Sequence, residues 1–335
     1  MRDALAIGTA RFGLTDPRKC ASRRLTIVTF HRVLQEAQRR IYPFPGLAVT
    51  PEELFWFMNY FTKYYECGPL TYMVERWLAG GPDDSPLLAV TFDDGPLDNY
   101  RNARPVLDHF KVRASFYVPA ALIDQAALVW HDRLGFAVSR LLEQPGGSEK
   151  LGKTLGLTMS LVEREILTQV VRTAKHLPPS QRDCWVRAIE SLVDNEKVPE
   201  WASMMNWNHL NSLAGDGHEI GSHSMTHPIL CQCNDKELEH EIADSRATIE
   251  ERLGTKIVSF CYPNGTFDER VVAAVRKAGY NNAVTTTFGL NRPGKSIYQL
   301  RRCDMHPGHS RSRHGKLSES RLALRLSGLQ PGLST

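Results

Sequence analysis

Two short apolar segments of similar sequence constrain the fold of this chain more than any other feature. Leu25–Phe30 (LTIVTF) and Leu87–Phe92 (LLAVTF) are rich in β-branched residues, and each is followed directly by a polar residue, His31 after the first and Asp93 after the second. A continuous apolar run of this length is typical of a strand that is buried on both faces in a parallel sheet. Polar side chains directly after such strands lie at the carboxyl edge of the sheet, where binding sites form.

Segments with helical spacing alternate with these strands. Pro51 opens a helix that Thr50 can cap, because a threonine hydroxyl suits the N-cap position and proline suits the first helical turn. A second helix is predicted over 99–110, and a third strand over 114–118. Strands and helices in alternation predict an α/β fold whose parallel strands are joined by crossover helices.

The alternation is interrupted once. Between residues 121 and 205 the apolar spacing is helical and no strand is predicted, and the strand–helix pattern then resumes at 207 and continues to about 308. A chain of 335 residues can hold one large domain that carries an insertion. We therefore predict a domain over 25–308 with a helical insertion over about 121–205.

Basic residues are concentrated at the two ends. The net charge is +4, but segments 1–24 and 309–335 each carry a net +4, so the middle of the chain is acidic. We expect 1–24 to be a basic leader and 309–335 a poorly ordered basic tail, and peripheral contact of these ends with an anionic membrane stays open. The acidic middle argues against a nucleic-acid groove.

No apolar segment is long enough for a transmembrane helix or a signal peptide, which predicts a cytoplasmic location.

Two pairs of side chains carry the candidate chemistry. Asp93 and Asp94 follow a buried strand, and His223 and His227 stand four residues apart in the segment HSMTH. Each pair alone is a weak signal, because an aspartate before glycine commonly caps a helix and two histidines at this spacing occur by chance. Together they offer two imidazoles and one carboxylate, the open three-ligand set of catalytic zinc sites. The second carboxylate is then free to act as a base on an activated water, which indicates hydrolysis.

Three motifs resemble those of a known family. Residues 91–95 (TFDDG), 217–228 (GHEIGSHSMTHP) and 260–265 (FCYPNG) match, in order and context, the motifs of the polysaccharide deacetylases, also called the NodB homology domain or carbohydrate esterase family four. The resemblance covers about 25–308 apart from the insertion. It implies a deformed (β/α) barrel of about seven parallel strands that removes acetyl groups from N-acetylated amino sugars with a divalent metal, usually Zn²⁺.

The resemblance also implies roles for individual residues. The metal ligands correspond to Asp94, His223 and His227. The general base corresponds to Asp93. The backbone N–H of Asn264 would stabilise the oxyanion, because Pro263 has no N–H. Contacts to the substrate are expected from Tyr262, Pro263 and Arg302.

The chain departs from the family pattern at two positions. Many members carry in the third motif an arginine that orients the base, but Cys261 stands there, so Arg301 or Arg302 replaces it or the contact is absent. The acid that protonates the leaving amine is normally a histidine on a late strand. Only His306 is available there, and it lacks the usual leucine two residues earlier. Some relatives carry this strand at the front of the chain, so we favour His31 as the acid, with His306 and neither histidine as alternatives.

These features predict a metal-dependent amidase acting on an N-acetylhexosamine of a polysaccharide, an oligosaccharide or a lipid-linked glycan, as in exopolysaccharide modification. A second hypothesis is a catalytically impaired relative that binds carbohydrate, motivated by Cys261 and the open identity of the acid. A third is another C–N hydrolase on the same barrel, a deformylase or a cyclic amidase. At the start of the insertion, Trp130 and His131 are predicted to pack in the core, with stacking on a sugar as the alternative.

Overall fold

Seven parallel strands close into a barrel. The structure is a computed structural model that describes residues 2–20, 24–80, 86–125, 127–160, 162–193 and 198–329. In these residues the barrel strands are β1 Leu25–Phe30, β2 Leu87–Phe92, β3 Ser115–Val118, β4 Glu219–Ser222, β5 Ser259–Cys261, β6 Asn282–Phe288 and β7 Leu300–Asp304. They lie side by side in this order, and β1 pairs with both β2 and β7, which closes the ring. The predicted deformed (β/α) barrel of about seven parallel strands is confirmed.

Helices and short strands surround the ring. The α-helices of the described residues are α1 Arg2–Arg11, α2 Pro17–Cys20, α3 Glu36–Ile41, α4 Pro51–Tyr64, α5 Leu70–Leu78, α6 Arg104–His109, α7 Trp130–Leu142, α8 Gly147–Leu155, α9 Glu163–Ala174, α10 Pro179–Glu190, α11 Trp207–Gly215, α12 Asp235–Glu239, α13 Ser245–Leu253, α14 Glu269–Lys277, α15 Pro307–Ser310 and α16 Glu319–Leu326. Outside the ring, Glu66–Gly68 pairs with β2, and Arg32–Val33 pairs with Ala48–Val49. Within the described ranges, no helix is long and apolar enough to cross a bilayer.

Both faces of β1 are buried, which explains its continuous apolar sequence. Leu25 and Ile27 belong to one cluster of buried side chains, and Val28 and Phe30 belong to another that includes Phe57 of α4. Successive side chains of a strand point to opposite faces, so one cluster fills the barrel and the other packs the barrel against its helices. The carboxyl ends of all seven strands therefore meet at one rim, which is held by apolar packing on both sides.

α4 begins as the sequence predicts. The side-chain oxygen of Thr50 accepts a hydrogen bond from the backbone N–H of Glu53 (3.2 Å), and the Glu53 carboxylate accepts one from the backbone N–H of Thr50 (2.9 Å). This capping box, with Pro51 in the first turn, satisfies two backbone donors that a helix start otherwise leaves unpaired.

The helices between β3 and α11 pack around a core of their own. The buried side chains of this core include Leu134, Val138, Val170, Val186 and Ile189. Asp132 of α7 joins this unit to the barrel, because its carboxylate accepts hydrogen bonds from Arg32 (2.9 Å) and from the hydroxyl of Tyr42 (2.7 Å). Arg32 also donates to Asp98 (2.7 Å), and all four side chains are buried. The start of α7 is therefore fixed at the rim, beside the end of β1.

The end of the chain differs from the expected poorly ordered tail. Within 309–335, residues Glu319–Leu326 form α16, which packs against α1 and buries Leu322 and Leu326. Asp3 of α1 accepts hydrogen bonds from the side chain of Arg321 (2.7 Å) and from the backbone N–H of Arg313 (2.9 Å). The expectation is wrong for α16, because the apolar face of that helix is covered by the rest of the molecule. Residues 330–335 lie outside the described residues.

Candidate active site

A cavity of about 820 Å³ opens at the carboxyl ends of the barrel strands. The segment 43–47, helices α7 and α9 and the residues after β7 complete its wall. Of the residues predicted to form the site, the wall includes His31, Asp93, Asp94, His223, His227, Tyr262, Asn264, Arg302 and His306. The closed barrel thus brings to one cavity side chains that lie far apart in the sequence.

Asp94, His223 and His227 form a compact cluster. The Asp94 Oδ1 atom lies 3.3 Å from His223 Nε2 and 3.2 Å from His227 Nε2, and all three residues are buried. Two ligand atoms that are each about 2.1 Å from a tetrahedral zinc ion lie roughly 3.4 Å apart, so these separations fit a shared cation. His223 Nδ1 lies 2.7 Å from the backbone carbonyl oxygen of Cys261, a contact that holds Nε2 toward Asp94.

The backbone at this cluster adopts an uncommon conformation. Asp94 has a φ of 70° and His227 a φ of 65°, in the left-handed region that residues with a Cβ atom rarely adopt. Such conformations persist where the surrounding structure over-determines them, and they are concentrated at functional sites. Both strained residues belong to the cluster that fits a cation, which supports a functional reason for the conformation.

The protonation of the cluster also suits cation binding. Burial raises the pKa of Asp94, but its contacts with His223 and His227 outweigh burial and hold that pKa well below the usual range. Burial lowers the pKa of His227 to about 4, so this imidazole is neutral at pH 7. Burial opposes the charging of His223 as well, but neighbouring Cys261 and Asp94 outweigh it and raise the pKa. Metal binding must displace that proton, so the affinity of the site for a metal is expected to fall as the pH falls.

Arg302 holds Asp93, the first aspartate of the pair. Its Nη1 and Nη2 atoms donate to Asp93 Oδ1 (2.8 Å) and Oδ2 (2.6 Å), and neither side chain has more than 2% of its surface exposed. The remaining donors of Arg302 bond to Thr29, Thr91 and the carbonyl oxygen of Thr285. Because the protein itself occupies these donors, the contacts favour a positioning role for Arg302, and its predicted contact with a substrate stays a prediction.

The two hydrogen bonds from Arg302 give Asp93 an arginine partner, although Cys261 stands at the arginine position of the third motif. The thiol lies 3.5 Å from Asp93 Oδ2 and 3.3 Å from Arg302 Nη2, at the position where the family carries its arginine. Burial raises the pKa of Asp93, but the guanidinium of Arg302 outweighs it and lowers that pKa below its ordinary value. Asp93 is therefore ionised at neutral pH and available as a base. Asp93, His223 and Cys261 form a second group that could hold a cation, but the bonds of Arg302 to both Asp93 oxygens disfavour it.

His31 lies beside Asp93, and His306 lies elsewhere on the cavity wall. His31 Nε2 is 3.9 Å from Asp93 Oδ2, and 17% of its side chain is exposed. His306 begins the short helix α15, where its Nδ1 atom accepts a hydrogen bond from the backbone N–H of Gly308 (3.0 Å). This acceptor role commits one nitrogen of His306 to the backbone, which favours His31 as the acid.

The third motif forms a tight loop beside the cluster. Asn264 is exposed and has a φ of 58°, and Gly265 has a φ of 69°. A Cβ atom on Gly265 would lie 2.4 Å from the backbone nitrogen of Thr286, so only glycine allows the loop to approach β6 this closely. Tyr262 lines the cavity with its hydroxyl bonded to the carbonyl oxygen of Tyr298 (2.9 Å). Pro263 is buried and is not among the residues of the cavity wall, so its contact with a substrate stays a prediction.

His131 lies beside Asp94, whereas the sequence analysis expects it in the core or, as the alternative, stacked on a sugar. Its Nε2 atom lies 3.8 Å from Asp94 Oδ2, and its ring centroid is 5.4 Å from that of His227. The neighbouring Asp132 fixes the start of α7, and this contact presents His131 to the cavity. The adjacent Trp130 also lines the cavity, and its ring lies 4.7 Å beneath the guanidinium of Arg182. The insertion lacks a motif that would have marked His131, although the polar triplet HDR in an apolar helix start was a weak signal.

The fold and the site together define a class of protein, a deformed (β/α) barrel with an aspartate–histidine cluster and a clamped aspartate at the carboxyl ends of its strands. The chain belongs to the polysaccharide deacetylase family, whose sequence profile matches residues 80–176 and 184–283, more than half of the chain. The family resemblance of the three motifs is thereby confirmed.

Two relatives are similar to this chain in sequence, and one solved structure is similar to it in fold. YxkH of Bacillus subtilis, a candidate polysaccharide deacetylase, is 22% identical over 231 residues, which are 69% of this chain and 56% of that protein, so the match spans little more than half of the relative. The peptidoglycan-N-acetylglucosamine deacetylase of Bacillus cereus is 30% identical over 69 residues, 21% of this chain and 32% of its own. The fold is similar to that of the Streptococcus pyogenes deacetylase PplD in complex with acetate, with a TM-score of 0.59, 14% identity, and coverage of 90% of this chain and 98% of PplD.

Proposed function

We propose that this protein hydrolyses the acetamido group of an N-acetylated amino sugar in a polysaccharide, an oligosaccharide or a lipid-linked glycan, releasing acetate and the free amine. The observation that carries the proposal is the arrangement of Asp93, ionised and clamped by Arg302, directly beside the cluster of Asp94, His223 and His227. A fixed base next to a three-ligand cation site is an arrangement suited to metal-assisted amide hydrolysis. The names of the relatives support an acetylated glycan as the substrate.

Asp94, His223 and His227 would hold a divalent metal, and we propose Zn²⁺ because two imidazoles and one carboxylate suit it. The metal would polarise the amide carbonyl and acidify a water molecule. Asp93 accepts a proton from the water whose oxygen bonds to the carbonyl carbon, and Arg302 keeps both carboxylate oxygens in place. The oxyanion accepts a hydrogen bond from the backbone N–H of Asn264. The C–N bond then breaks, and a proton from His31 converts the leaving nitrogen into the free amine.

The direct test is acetate release from a panel of acetylated glycans. Zinc-loaded protein is expected to release acetate and to expose an equal amount of free amine, and removal of the metal with a chelator is expected to abolish both. Added Zn²⁺ should restore the rate. Formate or a ring-opened product would identify another C–N hydrolase. Binding of acetylated glycan by the zinc-loaded protein without any acetate would identify a carbohydrate-binding relative.

The hypothesis of a catalytically impaired relative depends on the absence of an arginine from the third motif, where Cys261 stands. Arg302 forms two hydrogen bonds to Asp93 from β7, which is the function that the missing arginine serves in the family pattern. The main reason to doubt full activity is therefore answered by a residue on a different strand. No observation in the described residues favours formyl or cyclic-amide substrates over acetamido groups.

His31→Ala is expected to lower turnover at least about a hundredfold, because general acid catalysis commonly contributes that much. The matched control is His306→Ala, which removes a second histidine from the wall of the same cavity and is expected to retain most of the turnover. Acetate release per folded protein would be measured for both. A rate for His31→Ala equal to that of the wild type, with a large loss in His306→Ala, would assign the acid to His306 instead.

A further inference from the structure

The two basic ends of the chain meet in the folded protein. α1 packs against α16, and Asp3 at the start of α1 bonds to both Arg313 and Arg321. Five basic side chains of these ends are exposed and form no ion pair with a carboxylate of the described residues. They are Arg11, Arg18, Lys19, Arg313 and Lys316. The charge that stands at opposite ends of the sequence is therefore concentrated around one helix.

α1 and the turn after it expose large apolar side chains. Leu5, Ile7, Phe12 and Leu14 expose 39%, 60%, 78% and 55% of their surfaces. These four are among ten exposed large hydrophobic residues in the described part of the chain, so the segment 5–14 holds a share far above its length. Single exposed apolar residues are ordinary, but a group of them beside basic residues is typical of a binding surface.

We propose that this surface, which we call the α1 surface, binds an anionic lipid bilayer. It is formed by the apolar residues of segment 5–14 and the five basic residues. Apolar side chains insert at the headgroup boundary, and lysine and arginine near them are attracted to anionic lipids. A second copy of this chain is a poor occupant, because its own uncompensated cations would face those of the first. The α1 surface thus combines the two features that a peripheral membrane contact needs.

The α1 surface is connected to the cavity wall by packed helices. α16 packs against α15, and His306 and His309, at the start and within α15, line the cavity. The α1 surface is therefore joined to the cavity wall through two successive helices. If the proposed function holds, this arrangement suits an acetylated glycan that is carried by a membrane lipid, whereas binding of the bilayer itself does not depend on that function.

Co-sedimentation with vesicles tests the proposal. Full-length protein is expected to bind vesicles of roughly three parts phosphatidylcholine to one part phosphatidylglycerol at least about tenfold more strongly than pure phosphatidylcholine vesicles. Raising NaCl from about 0.1 M to about 0.5 M should weaken this binding, because salt screens exposed charges. Phe12→Ser combined with Ile7→Ser, and separately Arg18→Glu combined with Lys19→Glu, should each reduce binding at least about tenfold.

A matched control is Ile41→Ser combined with Leu78→Ser, which removes two apolar side chains that are 64% and 60% exposed elsewhere on the surface. This control should bind anionic vesicles like the wild type. Asp93→Asn should also bind them normally, so loss of acetate release and loss of vesicle binding are separable. Equal binding to both kinds of vesicle, or binding that survives the substitutions in segment 5–14, would overturn the proposal. A salt-insensitive dimer that Phe12→Ser dissociates would assign the surface to a second copy instead.

Discussion

Replacement of Asp93 by asparagine is expected to lower the rate of acetate release roughly 10²- to 10⁴-fold, the usual contribution of general acid–base catalysis, while zinc loaded into the proposed site is retained. Asparagine keeps the shape of the side chain but cannot accept the proton of the attacking water. The three proposed ligands, Asp94, His223 and His227, are untouched by this change. Acetate release and metal content, measured on the same preparation, separate the two properties.

His223→Ala and His227→Ala are the matched variants, because each removes a proposed ligand and leaves Asp93 in place. Both are expected to lose zinc together with activity. A metal-free Asp93→Asn protein would instead place the cation in the group of Asp93, His223 and Cys261. Asparagine also leaves the buried charge of Arg302 without its partner, a change that commonly costs about 3–5 kcal/mol, so the folded fraction must be measured by thermal unfolding.

Arg302→Ala is expected to lower turnover roughly 10- to 100-fold, the usual effect of losing a residue that orients a catalytic group. With Arg302 in place, the pKa of Asp93 lies below its ordinary value although burial alone would raise it. Without the guanidinium the burial effect is unopposed, so the pKa rises and the base becomes protonated at a higher pH. The acidic limb of the pH–rate profile should therefore move to higher pH, in addition to the loss at the optimum.

Two further variants make this test specific. Arg301→Ala changes the neighbouring residue of β7, whose side chain points to the opposite face of the strand, and is expected to leave the pH profile in place. Cys261→Arg added to Arg302→Ala returns an arginine to the position that the family motif uses, beside both Asp93 and the vacated space. This double variant is expected to regain about tenfold over Arg302→Ala alone, because a bidentate contact to the carboxylate is restored. An unchanged acidic limb in Arg302→Ala would show that Arg302 supports the fold without tuning the base.

Much of the site follows from patterns that are local in the sequence. The β-branched runs before His31 and Asp93 predict strands of a parallel sheet, and parallel strands present their carboxyl ends at one edge. The motif spacing of His223 and His227 marks them as ligands once a carboxylate is available nearby. These predictions need only strand direction and residue type, which is why they required no knowledge of the packed structure.

Other features could not be predicted because they depend on contacts between distant segments. The sequence leaves open whether Arg301, Arg302 or neither orients Asp93, since the choice depends on which side chain of β7 points into the barrel. His131 reaches Asp94 only because Asp132 docks the insertion on Arg32, a contact across 100 positions of the sequence. A local sequence pattern does not indicate such a contact.

The sequence by itself determined that Asp93, Asp94, His223 and His227 lie at the carboxyl ends of parallel strands, at one rim. The reason is that residue type and order are enough to indicate strands buried on both faces and their alternation with helices. Only the tertiary structure decided that Arg302 clamps the base and that the basic ends of the chain meet at α1. Strand register, the direction of each side chain and the docking of distant helices settle those contacts, and each arises from packing over the whole molecule.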